Sequence, residues 1–115
     1  MQDSSLQVQV ESRGGSTILS PRGDVDMSRA PSFREHVRIA QQGKPKQVVI
    51  DMAEVEYMDS SGLATLVEAM RNARGLGVGL VLCGLNPKVL AIFEIARLHH
   101  FFKIVPTVAD AVGVV

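Results

Sequence analysis

Val48-Val49-Ile50-Asp51-Met52-Ala53-Glu54-Val55-Glu56-Tyr57-Met58-Asp59-Ser60-Ser61-Gly62-Leu63 reads as a strand, a loop and the opening of a helix. Three consecutive apolar residues, Val48 to Ile50, follow the breakers Gly43 and Pro45. A short unalternating run of this kind fits a central strand covered on both faces. Beyond the loop, Leu63, Leu66, Val67, Met70 and Ala73 recur at helical spacing, while Thr65, Glu68 and Asn72 fall on the opposite side. Gly75 is the expected C′ residue of that helix. The intervening segment, Asp51 to Asp59, is the one long connection in the chain and carries Glu54 and Glu56. Long loops in compact domains are commonly functional.

Working outward, Leu6, Val8 and Val10 alternate with Gln7, Gln9 and Glu11, the period of an edge strand with one buried face. Gly14-Gly15 then signals a turn into a second strand, Ser16 to Ser20, with Pro21 and Gly23 expected to end it. Ala30, Phe33, Val37 and Ala40 mark an amphipathic helix whose expected N-cap is Ser28, with Pro31 tolerated in its first turn and Gly43 supplying the stop. On the C-terminal side, Gly79 to Cys83 is a second all-apolar strand, and Asn86-Pro87 opens a third helix with Val89, Ile92, Phe93 and Ala96 on one face. Leu90 and Ile95 lie off that face, so either the C-terminal segment covers them or they form an exposed patch. Phe101 to Val105 is a final strand and Thr107 to Val112 a terminal helix. A hairpin followed by alternating helices and strands implies an α/β domain: a mixed sheet with a parallel centre, right-handed crossovers, and helices packed largely on one side.

Composition narrows the functional classes. One domain is what 115 residues support, with an expected radius of gyration of about 13 Å. Hydrophobic residues make up 46%, and twelve basic residues balance twelve acidic ones, so neither disorder nor direct nucleic-acid binding is favoured. The single cysteine, Cys83, excludes an internal disulfide and suits a reducing compartment. It reads as a core residue of its strand. No apolar run reaches membrane-spanning length, and Met1 to Val10 lacks the pattern of a signal peptide, so the expected location is the cytoplasm.

Asp59-Ser60-Ser61-Gly62 stands where the long loop enters a helix. Asp59 or Ser60 serves there as an N-cap, satisfying free first-turn amides. The positive end of a helix also tolerates an added phosphate, so a serine in this position is a candidate for modification. Both roles are compatible, and the physics alone does not choose Ser60 over Ser61. Elsewhere, no Cys or carboxylate cluster with ligand spacing surrounds His36, His99 or His100, and the reading requires neither metal nor cofactor. There is no Gly-x-Ser-x-Gly nucleophile elbow and no Walker A sequence. Gly75, Gly77 and Gly79 precede a strand, which suits a flexible turn and not a dinucleotide fingerprint.

Val48 to Met52 followed by Tyr57 to Leu63 resembles the signature of the STAS family, specifically the bacterial anti-sigma factor antagonists. Gly23-Asp24-Val25-Asp26 is similar to the element those proteins place before their first helix, and Gly79 to Pro87, Val89 to Phe93 and Phe101 to Ile104 resemble their later strand, helix and last strand. Four elements in order cover roughly residues 6 to 112 of a single domain spanning 1–115. The resemblance implies a non-catalytic partner switch. Its unphosphorylated form binds an anti-sigma factor that is also a serine kinase and releases a sigma factor; phosphorylation of Ser60 ends the interaction and a serine phosphatase restores it. The implied partner-binding residues are Asp24, Asp26, Asp59, Ser60, Ser61 and Gly62, with Asp26 expected near Asp59 on a neighbouring loop. A weak homodimer is compatible with this reading. Ala64, where relatives often have glycine, and the pair His99-His100 depart from the commonest pattern. The alternative is a docking STAS subunit of a lipid- or anion-transport complex or a stress-signalling scaffold, in which the serine need not be modified. An enzyme, such as a slow nucleotide hydrolase, would need a catalytic base and phosphate cradle that the sequence does not display.

Overall fold

A computed structural model describes residues 5–113. Five strands form one sheet in chain order: β1 (Gln7–Arg13), β2 (Ser16–Arg22), β3 (Gln47–Asp51), β4 (Gly79–Cys83) and β5 (Lys103–Val105). β1 pairs antiparallel with β2, and the other three pairings are parallel. The mixed sheet with a parallel centre is therefore as expected, and the radius of gyration is 13.0 Å.

Helices α1 (Ala30–Gln42), α2 (Ser60–Leu76) and α3 (Pro87–Ile95) lie on one side. Phe33 and Val37 of α1, Leu66 and Ala69 of α2, and Val89 and Phe93 of α3 bury against Leu19, Val48, Ile50, Leu80 and Leu82. The alternate residues Ile18, Val49, Val81 and Cys83 face the other way, where α4 (Val108–Val112) covers them through Ala111. This two-sided cover explains the unbroken apolar runs of β3 and β4. It also corrects one expectation: α4 crosses beneath the sheet instead of shielding α3, and Ile95 is left 83% exposed.

Other boundaries shift for local reasons. Leu6 is buried and Val8 half-buried, but Val10 is exposed, so the buried row of β1 fades along the strand. Pro21 does not end β2: it pairs with Val8 beyond Leu19, the last residue to pair with β3, so its missing N–H leaves no gap in that parallel ladder. α2 runs through Gly75 to Leu76, and its left-handed cap is Gly77 at φ 70°, whose N–H returns to Ala73 O. The three glycines thus belong to a helix, a cap and a strand, and not to a flexible turn. Phe101 and Phe102 precede β5, packing edge to face with ring centroids 5.2 Å apart. Residues 1–4 and 114–115, at the ends of the 1–115 span, lie outside the described residues, as does most of the first half of the Met1 to Val10 reading.

Candidate functional site

The Asp51 to Asp59 segment is long but firmly held. Met52, Val55 and Met58 recur every third residue and all three are fully buried. Met52 N–H donates to Cys83 O at 2.8 Å, and Val55 N–H to Met52 O at 3.0 Å. Asn86 adds a tie that its sequence position did not reveal. Its carboxamide oxygen caps α3 by accepting from Val89 N–H at 2.8 Å, while its Nδ2 donates to Val55 O at 3.0 Å. The residue that starts α3 therefore also fixes the loop that leads into α2.

A second long connection, Gly23 to Arg29, runs beside this loop; the sequence had marked only one. The two are stitched by backbone hydrogen bonds, Gly23 N–H to Glu54 O, Val25 N–H to Tyr57 O at 2.9 Å and Asp59 N–H to Val25 O at 3.3 Å. Val25 and Met58 form a parallel bridge and are both fully buried. The pairing extends the parallel order of the sheet past the ends of β2 and β3.

Each loop carries the same local device, an aspartate that holds the serine two residues ahead. Asp26 accepts from Ser28 N–H at 3.1 Å, Ser28 Oγ–H at 2.8 Å and Arg29 N–H at 3.0 Å. Asp59 accepts from Ser61 N–H at 2.9 Å, from Ser61 Oγ–H, and from Gly62 N–H at 3.4 Å. Asp59 alone reaches the other loop, accepting from Met27 N–H at 3.2 Å. These bonds favour the ionised form, so both carboxyls titrate below the usual carboxylate value: the Ser28 hydroxyl is the main cause for Asp26 and the Ser61 hydroxyl for Asp59. The expected cap of α1 is corrected accordingly. Arg29 occupies the N-cap position without a side-chain bond, and the Asp26 carboxylate takes the Arg29 amide while its backbone carbonyl takes that of Ala30.

Asp59, with extended backbone, is the N-cap of α2, and Ser60 is its first helical residue. The two serines are then distinguishable. Ser61 is half-buried with its hydroxyl committed to Asp59, whereas Ser60 is exposed and its hydroxyl makes no hydrogen bond among the described residues. Gly62 is buried against both loops: a Cβ there would lie 2.5 Å from Met58 Cγ and 3.0 Å from Val25 Cγ1. Only glycine lets the first turn of α2 approach this closely. Asp26, Asp59, Ser61 and Gly62 are thus part of one hydrogen-bonded and packed unit. Asp24 is exposed on the same loop and takes no part in the clasp.

From Ser60 an open groove runs along α2, lined by Leu63, Ala64, Val67 and Leu98, with Glu68 and Arg71 farther along. Glu68 is paired to Arg34 of α1 at 2.7 Å. Leu98 reaches the groove because α3 ends in a Schellman turn. Its N–H returns to Phe93 O at 2.8 Å and that of Arg97 to Glu94 O at 3.0 Å, with Arg97 left-handed at φ 58°. His99 and His100 lie against one another just after this turn, their rings tilted by 47°, while His36 stands apart on α1. Cys83 is buried, and its thiol is pushed up to about 12, first by burial and then by Asp51 and Asp110. No described helix is long and apolar enough to cross a membrane.

Comparison with known proteins places this geometry. The anti-sigma-B factor antagonist of Listeria monocytogenes is 35% identical over 82 residues, which is 71% of this chain and 72% of the relative. That of Bacillus subtilis strain 168 is 28% identical over 101 residues, covering 87% of this chain and 91% of the other. The crystal structure of an anti-sigma factor antagonist from Mycobacterium paratuberculosis superposes with a TM-score of 0.85 at 26% identity, over 96% of this chain and 93% of that one. The STAS domain family model matches residues 7–111, from the first residue of β1 into α4. That match spans all five strands, both long loops and α1 to α3, and this chain belongs to the STAS domain family.

Proposed function

We propose that this chain is an anti-sigma factor antagonist, a cytoplasmic and non-catalytic binding protein switched by phosphorylation of Ser60. Its partner is an anti-sigma factor with serine kinase activity, bound through the two-loop surface around Asp24, Asp26 and Asp59 and the groove beginning at Ser60. A serine phosphatase reverses the modification. The carrying observation is that Ser60 presents an exposed, uncommitted hydroxyl on a rigid platform while the adjacent Ser61 hydroxyl is held by Asp59. The names of the relatives and the apolar lining of the groove support the same reading.

In the modification step Ser60 Oγ attacks the γ-phosphorus of a nucleoside triphosphate bound by the kinase. The new Oγ–P bond replaces the bond to the β,γ-bridging oxygen, the diphosphate leaves, and the hydroxyl proton passes to a base of the kinase. Phosphate adds a charge of about −1.5 to −2 next to the ionised Asp59. In water the favourable helix-end field, about 0.3 to 1 kcal/mol, and the repulsion are both small, so the domain stays folded. Within an interface the dianion must be desolvated, a cost of several kcal/mol when no basic group meets it. Each ~1.4 kcal/mol weakens binding about tenfold, so phosphorylation should weaken the complex by about a hundredfold or more.

The test is incubation with the serine kinase of the cognate anti-sigma factor and ATP, followed by mass mapping of the phosphopeptide. Ser60→Ala should lose incorporation and bind constitutively; Ser61→Ala should keep most of it. The reverse pattern would sink the assignment. Binding that is indifferent to Ser60→Asp and to phosphorylation would instead point to a dock without a switch.

A further inference from the structure

A phosphate at the first residue of a helix ordinarily has a nearby resting place, the free amides of the first turn. In this chain the Ser61, Gly62 and Leu63 amides are already taken. Asp59 Oδ1 accepts from the Ser61 and Gly62 amides and from the Ser61 hydroxyl, Oδ2 accepts from Met27 N–H, and Leu63 N–H donates to Asp59 O at 3.2 Å. The carboxylate is thus held from two sides, by its own helix and by the neighbouring loop, and cannot swing aside without breaking both sets of bonds. We infer that Asp59 is a positioning residue of the switch: by occupying the Ser61 and Gly62 amides it prevents a phosphate on Ser60 from folding back onto them and keeps it directed outward.

This rests on the reading of Ser60 as the acceptor and gives Asp59 a task distinct from touching the partner. A phosphate that folded back would have its charge neutralised within the domain and would oppose a docking protein less. One kept in solvent presents its full charge to whatever binds the two-loop surface. Ser61 belongs to the same device, since its hydroxyl fixes the orientation of the carboxylate that excludes the phosphate.

The experiment places phosphoserine at position 60 during translation, so that no kinase is needed and failure of the kinase reading does not affect the result. The amide signals of Ser61 and Gly62 are followed by NMR as the phosphate takes its second charge near a pH of about 6. Three backgrounds are compared: the parent, Asp59→Asn, whose carboxamide oxygen still caps the amides without charge, and Asp59→Ala, which uncovers them. Spectra of the unmodified variants establish that each is folded. The expected result is no movement of the two amide protons in the parent and in Asp59→Asn, and a downfield shift of both in Asp59→Ala. A downfield shift in the parent overturns the inference, because the phosphate would have displaced Asp59. A shift in folded Asp59→Asn overturns it by assigning the exclusion to charge instead of occupancy. Silence in folded Asp59→Ala overturns it too, because free amides would then fail to attract the phosphate.

Discussion

Asp26-Met27-Ser28 and Asp59-Ser60-Ser61 are the same device used twice, an aspartate that draws in the amide and hydroxyl of the serine two positions ahead and forces the residue between them outward. Met27 is 77% exposed for this reason, and Ser60 is exposed where the adjoining loop enters α2. The copies differ in reach. Asp26 bonds only within its own turn, leaving α1 to begin on an uncapped Arg29, whereas Asp59 caps α2 directly and also takes Met27 N–H from 32 residues earlier. Identical side-chain chemistry thus closes a local turn in one loop and joins two segments in the other. What separates them is the backbone pairing of Val25 with Tyr57 and Asp59, which brings Met27 within range.

The largest effect should come from spoiling that approach. Gly62→Ala drives a methyl group into Met58 and Val25, an overpacking expected to cost about 1–3 kcal/mol. Gly75→Ala, in the same helix with open space around it, should instead stabilise by about 0.5–1 kcal/mol. Thermal melts of the pair check the contrast; similar melting temperatures would mean that the loops are not closely seated on α2.

A smaller effect separates the aspartates themselves. Asp59→Ala removes a helix cap and should cost about 1 kcal/mol, with faster amide exchange at Met27 as well as at Ser61 and Gly62. Asp26→Ala should change exchange only at Ser28, Arg29 and the first turn of α1. If Asp26→Ala loosened Ser61 or Gly62 equally, the distinction between a local and a bridging aspartate would fail.

The mildest expectation concerns acid. Both carboxyls titrate lower in the folded chain than their ordinary value of 3.8. Each therefore contributes stability that is complete above the unfolded pKa of about 3.9 and is lost as the pH falls through the lowered folded value. Urea midpoints measured from about pH 6 down to about pH 2.5 should decline toward the acid end, and Asp59→Asn should flatten part of that decline. An unchanged slope in Asp59→Asn would remove Asp59 from the acid response.

Much of this was legible in the residues. Val48 to Ile50 and Leu80 to Leu82 announced central strands because cover on both faces removes the need for polar alternation, and Asn86-Pro87 announced the start of α3 because its cap is local. Capping of α1 was misplaced because Asp26 and Ser28 are both capping residues and only the turn geometry decides between them. α4 could not be assigned a face from so short an apolar segment; its position depends on Ala111 meeting Val49 and Val81, and on Gln47 Nε2 donating to Ala111 O at 2.9 Å. Which of the two serines keeps an uncommitted hydroxyl depends on the orientation of one carboxylate, which no spacing encodes. The second loop was marked only through the family resemblance, and its pairing with the first went unread because its anchors, Val25 and Met58, find one another only after the sheet has formed.

Strand order that follows chain order has a consequence for synthesis. Each new strand adds to an edge already in place, so during translation the sheet can grow from β1 toward β5 without reopening earlier pairs. The upper layer is completed along the way, as α1 and α2 are made between the strands they cover. The lower layer is not: Ile18, Val49, Val81 and Cys83 have no cover until Val108–Val112 emerges. A nascent chain stalled before that point would carry a nearly finished sheet with one bare apolar face, a surface for chaperones to engage.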